Sequence, residues 1–267
     1  MKLKALLGTL SVAALTTLSV ANAADAVRVG IAPEPYLPFS TLTAANEWQG
    51  FEPDLLRSLC EEVKIECSFN AVAWDGLIPS LKENKLDLIV GAFSINEERQ
   101  KIVDFSTPYI FEASVVIGMK SDSKQVAVKT DPNNAEGKVI DDANLSGMLL
   151  GTQAASVQSV YADTYLGEMT TKYYDTADNV VADLTAGRVD YALLPEAYVG
   201  PFLNTADGAD YTVKAVVPSN AVLGNGIGMA VDKGNTELMG KLNAGLAALE
   251  ASGKLTEITV KWFPVRK

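Results

Sequence analysis

Histidine is absent from all 267 residues. That absence removes Ser-His-Asp hydrolysis, Cys-His hydrolysis and histidine-ligated zinc from the functions open to the chain. Basic residues are scarce as well: 22 Lys and Arg stand against 33 Asp and Glu, for a formal charge of −11. A nucleic-acid partner needs a basic face for its phosphates, so none is expected. Only one apolar run is long, Ala5 to Val20, and it is too short to be read as a membrane span.

What is present begins with that run. Lys2 and Lys4 precede it and Ala21-Asn22-Ala23 follows it, the pattern of a secretory signal peptide over residues 1–23 cleaved after Ala23. No cysteine follows the small residues to take a lipid. Residues 1–23 carry two lysines and no acid, so the remaining chain has a formal charge of −13. Its length suits one large domain or two lobes. The only cysteines, Cys60 and Cys67, stand in CEEVKIEC. In an exported chain so close a pair reads as a short-loop disulfide contributing about 2 kcal/mol; two buried thiols are the alternative, and either way the role is structural.

From Val27 the pattern runs VRVGIA as a strand, a Pro-rich loop PEPYLPF, and a helix at about 53–63. IECSFNAV follows as a strand, then WDGLIPSLKEN as a helix with Asp75 at its N-cap, then the buried strand LDLIVGAF. Strands alternating with helices imply parallel pairing in an α/β layer architecture. The unit occurs twice: DGLIPSLKENKLDLIVGAF from Asp75 can be set against DNVVADLTAGRVDYALLPE from Asp178. Two similar lobes are therefore expected. KSDSKQVAVKTDPNNAEGKVIDDANLSG, between them, is rich in turn formers and reads as a polar surface approach to the second lobe, with weak strand signal in QVAVK. The end of the chain offers the strand GIGMAVDK, a helix from about Thr236 to Ala251 and an amphipathic LTEITVKWF.

Open α/β sheets bind ligands outside the carboxyl ends of their strands. At such places stand Glu34 and Tyr36 after the first strand, Trp74 before the second helix, and Ser94 and Arg99 after LDLIV. Ser156 and Gln158 follow MLLGT, and Pro195 and Glu196 follow DYALL. Asn96 can cap a helix whose free N–H groups favour an anion, and the Arg99 guanidinium beside them can pair bidentately with a carboxylate. A surface pair of Arg99 with Glu97, Glu98 or Asp104 is the competing reading. Tyr36 and Trp74 can clasp an apolar or cationic side chain, or simply pack.

EPYLPF, GFEPDLL, the C-x6-C pair, WDGLIPSLKENKLDLIVGAFSINEERQKIVDFSTPY, TAGRVDYALL, GIGMAV and the closing KWF together carry a resemblance. The chain resembles the periplasmic polar-amino-acid-binding proteins of ABC transporters, solute-binding protein family 3, in the branch for lysine/arginine/ornithine, histidine and opines. The resemblance implies a two-lobed Venus-flytrap of the type II periplasmic-binding-protein kind, each lobe a mainly parallel sheet flanked by helices, joined by two hinge strands. Residues 25–113 plus 218–267 would form the first lobe and 114–217 the second. Arg99 would pair with a ligand α-carboxylate. Ser94, Ser156 and Val157 would bond its head group, Tyr36 and Trp74 would enclose its side chain, and Gln158 falls at a contact position. Cys60 and Cys67 match a disulfide of the basic-amino-acid branch.

One position departs from the family pattern. Relatives that grip a free α-ammonium place an aspartate five residues after the aspartate of the GR-x-D turn, and here that position is Pro195. Either Glu196 or Glu34 takes over the ammonium, or the ligand lacks a primary amine, as opines do. Gly91 and Ala92 stand where relatives often carry hydroxyls. The expected function is periplasmic capture of an amino acid or an opine-like derivative and its delivery to an inner-membrane ABC permease, by a monomer, with no cofactor, metal or catalysis. The alternative is a cyclohexadienyl- or arogenate-type dehydratase on the same fold, with Glu196 as general acid.

Overall fold

The computed structural model of the protein describes residues 26–263. The expected signal peptide lies outside them. In the first part of the chain the elements are β1 (Val27–Ile31), β2 (Thr41–Leu42), β3 (Trp48–Gln49), α1 (Phe51–Glu62), β4 (Cys67–Ala71), α2 (Leu77–Lys82), β5 (Leu88–Ile89), α3 (Glu97–Gln100) and β6 (Val103–Phe105). The middle holds β7 (Ser114–Met119), β8 (Ala127–Asp131), β9 (Asn134–Asp141), β10 (Leu149–Gln153), α4 (Val157–Tyr165), β11 (Thr170–Tyr174), α5 (Ala177–Thr185), β12 (Tyr191–Pro195), α6 (Glu196–Phe202) and β13 (Tyr211–Val216). The chain ends with β14 (Ala230–Asp232), α7 (Thr236–Ala251) and α8 (Lys254–Trp262).

Two five-stranded sheets result, ordered β4-β1-β5-β14-β6 and β11-β10-β12-β7-β13. In each, a parallel trio (β4-β1-β5 or β11-β10-β12) is extended by two antiparallel pairings. The antiparallel strands are those next to the places where the chain changes sheet, between Phe105 and Ser114 and between Val216 and Ala230. A strand arriving from the other sheet needs no helical crossover, so it is free to run against its neighbour.

Both faces of each sheet are covered, which is why the central strands are continuous apolar runs. On the first sheet, Val29, Ile31, Leu88 and Val90 pack against Leu55, Leu56 and Leu59 of α1 and Leu238, Leu242, Leu246 and Ile258 of α7 and α8. Ile89 and Ala230 turn to the other face, against Leu77 and Leu81 of α2. On the second sheet Val116 and Leu193 face Tyr161 of α4, while Val115, Ile117 and Leu194 face Val180 and Leu184 of α5. The period of two along β7 and β12 thus sorts neighbouring residues into two cores. The disulfide Cys60–Cys67 ties the last turn of α1 to the start of β4 across a Cα separation of 6.3 Å.

Two local expectations change. Asp75 makes no capping bond: the chain enters α2 through a 3₁₀ turn, Trp74–Gly76, closed by the Gly76 N–H on the Ala73 carbonyl at 2.9 Å. The polar stretch expected between the lobes follows β7, already a strand of the second sheet, and forms an antiparallel hairpin, β8–β9. Its apolar anchors are Val139 and Ile140, both fully buried, and the Ile140 N–H donates to the Tyr161 hydroxyl at 2.8 Å. No helix among the described residues is long and apolar enough to cross a membrane.

Candidate functional site

The strand ends that carry the candidate residues meet in the cleft between the sheets, around a cavity of about 660 Å³ with its mouth included. Glu34, Tyr36, Trp74, Gly91, Ala92, Ser94 and Arg99 line it from the first sheet's side, and Ser156, Val157 and Gln158 from the second's. Of the ligand-site residues expected from sequence, only Glu196 is missing from the lining.

Asn96 sets the position of Arg99. Its side chain accepts the Arg99 N–H at 2.9 Å and donates to the Val222 carbonyl at 2.8 Å, so the one-turn helix α3 is fastened to the segment that returns from the second sheet. The helix is a single turn of four residues, and its cap fixes the backbone from which the guanidinium projects. Arg99 Nη1 donates to the Ser94 carbonyl at 3.1 Å, and Nη2 reaches across the cleft to the Ala155 carbonyl at 3.4 Å. The guanidinium carbon lies 5.1 Å from the Phe93 ring centre and 5.7 Å from that of Trp74. Trp74 and Phe93 themselves stack at 4.4 Å.

Among the described residues no carboxylate pairs with Arg99. Glu98 engages Lys101 and Asp104 engages Lys233, so the surface-pair reading fails. Burial pulls the Arg99 pKa down to about 10, which leaves it a cation at neutral pH. The side chain is half-buried and has no acidic partner among the described residues, and an anionic solute is what would compensate its charge.

Across the cleft, Ser156 caps α4. Its hydroxyl accepts the Ser159 N–H at 3.0 Å and donates to the Gln153 carbonyl at 2.6 Å. The N–H groups of Val157 and Gln158, in the first turn of a nine-residue helix, have no protein partner among the described residues. They offer an anion two donors and the positive end of the helix dipole. The Gln158 side chain is otherwise engaged: its amide nitrogen donates to Ser114 Oγ at 2.9 Å.

Gly91 and Ala92 form the floor. Gly91 has φ +149° and a Cβ there would stand 3.3 Å from Trp74, so a side chain would press on the ring as well as strain the backbone. Ala92 also has positive φ, +53°. Glu52, buried beneath them, accepts the Gly91 and Ala92 N–H groups at 3.3 and 2.8 Å and the Tyr109 hydroxyl. Desolvation pushes its pKa up to about 7 against those three bonds, which lower it. Tyr36 stacks on Phe39 at 5.5 Å and, across the cleft, on Tyr198 at 5.9 Å. Burial, then the charges of Glu112 and Glu52, raise its pKa well above the usual tyrosine range. Glu34 Oε2 and Trp74 Nε1, an acceptor and a donor on the cavity lining, are buried without partners.

Glu196 is exposed and off the cavity. Pro195 ends β12 and lines the cavity, but the next residue already opens α6, whose first turn carries the Glu196 side chain away to solvent. The dehydratase alternative thereby loses its proposed acid. The residue that sequence reasoning missed is Glu112, on the segment that leads into β7; it lines the cavity, and burial first, then Glu52 and Glu196, push its pKa up to about 8. Its signal was a single acid inside the apolar stretch YIFEASVVIG. No group of three His, Cys, Asp or Glu among the described residues could hold a metal ion.

A site with one cation, free helix N–H groups, aromatic faces and two acidic side chains is suited to a small zwitterion. A family model for bacterial extracellular solute-binding proteins, family 3, matches residues 27–265. The chain is 34% identical over 244 residues to the ABC transporter arginine-binding protein 1 of Escherichia coli K12, covering 91% of this chain and 93% of that one. It is 34% identical over 267 residues to the L-arginine-binding protein of Pseudomonas aeruginosa, covering 98% and 97%. Among solved structures, a Salmonella typhimurium periplasmic binding protein described for high arginine specificity superposes with a TM-score of 0.77 at 27% identity, over 90% of this chain and 100% of that one. The chain belongs to the bacterial extracellular solute-binding proteins, family 3.

Proposed function

We propose that the protein is the periplasmic solute-binding component of an ABC importer and that it captures an α-amino carboxylate with a basic side chain, arginine or a guanidino derivative. The observation that carries this reading is the half-buried Arg99 guanidinium, which lacks an acidic partner among the described residues and lines the cavity in the cleft. Its charge and the free N–H groups of Val157 and Gln158 suit the solute carboxylate. Glu34 and Glu112 on the same cavity suit two positive charges, those of the amine and of a basic side chain. A zwitterion with one anionic and two cationic groups complements one guanidinium and two carboxylates.

In the proposed division, residues 25–113 plus 218–267 form one lobe and 114–217 the other, and residues 1–23 direct export. The solute touches both lobes, so its binding energy favours the closed arrangement selectively and shifts the population toward it. The closed complex is the form a permease would recognise. No chemical step is assigned to Glu196, which is exposed and off the cavity.

Isothermal titration of the mature protein with L-arginine, L-lysine, L-histidine and octopine is expected to give tight binding for at least the guanidino ligands. Binding to none of them, or turnover of prephenate or arogenate, would overturn the reading.

A further inference from the structure

Pro195 lines the cavity with neither a carboxylate nor an N–H to offer. Opposite Pro195 in the ladder stands Ser114, and two residues before Ser114 stands Glu112. Two bonds lock this corner: the Ala197 N–H donates to Glu112 Oε1 at 2.8 Å, and the Glu196 N–H donates to the Ala113 carbonyl at 2.8 Å. The other carboxylate oxygen of Glu112 has no hydrogen bond among the described residues. Glu112 also borders a smaller cavity behind the main one, and the two cavities share Ser94, Glu112 and Gln158.

That sharing groups Glu112 with Ser94 and Gln158 where the two cavities adjoin. Ser94 holds Arg99 Nη1 through its carbonyl at 3.1 Å, and Gln158 supplies one of the free helix N–H groups. In an α-amino acid the carboxylate and the amine share one carbon, so the amine must lie close to whatever holds the carboxylate. Glu34, on the loop with Tyr36, borders only the main cavity.

We infer that Glu112 is the carboxylate that receives the α-ammonium of the bound solute, in the place residue 195 leaves without an acid, and that it selects solutes with an amine beside their carboxylate. This rests on the reading of the cavity as an amino-acid site. Glu112 thereby becomes a specificity-determining residue supplied by the segment joining the lobes, and closure and amine recognition meet at one side chain: one oxygen clasps α6 and the other faces the solute.

Burial pushes the Glu112 carboxyl up to about 8, with Glu52 and Glu196 adding to the rise, and Glu34, Tyr36 and Arg99 line the same cavity. An ammonium in contact ionises it, so binding at pH 7 expels a proton and the apparent affinity falls as pH drops, by up to about tenfold per unit.

The test is calorimetric titration with two probes, L-arginine and 5-guanidinopentanoate, which is arginine without its α-amino group, on wild type and Glu112→Gln. Glutamine keeps an oxygen for the Ala197 N–H, so the clasp survives and only the charge is lost. L-arginine should weaken on the order of 100-fold in the variant. The deaminated probe should change little, and the pH slope for L-arginine should vanish. Glu112→Asp should keep part of that slope. Equal losses for both probes, no loss for either, or a pH slope that persists in Glu112→Gln overturns the inference. If Glu112→Gln does not fold, wild type alone decides: a pH slope for L-arginine absent with 5-guanidinopentanoate supports it, and equal slopes overturn it. Failure of wild type to bind any amino acid or octopine overturns the parent reading and this inference with it, whereas binding without coupling to the amine overturns this inference alone.

Discussion

The two walls of the cleft are built from different materials. The first sheet's side supplies large and charged side chains: Arg99, Tyr36, Trp74 and Glu34. The second sheet's side supplies backbone N–H groups and small caps at the start of α4, around Ser156, Val157 and Gln158. Side chains can hold a solute while the cleft is open. A helix N-terminus adds its few tenths to one kcal/mol only at contact distance. On the proposed reading, first capture would fall to the first wall and the second would engage the solute on closure.

Removing the charge from the first wall should have the largest effect. Arg99→Ala is expected to cost about 3–5 kcal/mol of binding, since a solute carboxylate would be buried without its partner. Titration calorimetry should then show the affinity for the best ligand lowered by on the order of 100-fold or more. Unchanged affinity would move first capture to the other wall.

A second difference lies in pH. The folded Glu52 carboxyl titrates at about 7 against an ordinary 4.5, so the folded state holds a proton that the unfolded chain has released. Its contribution is therefore full below pH 4.5 and is lost as pH rises to about 7, on the order of 3 kcal/mol in all. Urea unfolding of the ligand-free protein at pH 5, 6 and 7.5 should show wild type losing stability upward relative to Glu52→Gln. The raised Glu112 carboxyl acts in the same direction. A rise with pH relative to the variant would contradict this account of the floor.

On the second wall, Ser156→Ala removes a cap and should lower stability by about 1 kcal/mol, with a similar loss in ligand affinity, because it loosens the N–H groups that meet the solute. A drop in stability with ligand affinity intact would show that α4 does not touch the ligand. Glu196→Gln, off the cavity, should change affinity only slightly, through the Glu112 carboxyl that Glu196 helps to hold protonated. A large loss there would restore the role that the structure denies it.

The parts of the site that were legible from sequence sit just after buried strands. LDLIV announces the strand end, and Asn96 announces the turn that aims Arg99, so local pattern suffices. Glu112 was illegible for the opposite reason. It lies in no strand–helix turn, and its facing depends on how Ser114 pairs with Pro195 far along the chain. Glu196 misled because adjacency to Pro195 says nothing about direction once the strand gives way to a helix. The β8–β9 hairpin hid behind turn formers, since Val139 and Ile140 are buried in a cluster with residues elsewhere in the chain, Val116, Leu150 and Tyr161 among them. The antiparallel strands of both sheets depend likewise on where the chain crosses over, which hydrophobic periodicity does not encode.

The first sheet's core joins the earliest helix to the last ones: Leu55 and Leu59 pack with Leu242, Leu246 and Ile258. Every strand of the second sheet lies between Ser114 and Val216. An emerging polypeptide can therefore finish its middle portion early, while the flanking portion must wait for nearly the whole length to arrive. Loss of the final two helices would spare the middle portion and strip the surrounding one of Leu242, Leu246 and Ile258, which pack on α1, so truncation should yield a half-ordered product instead of a shorter working protein.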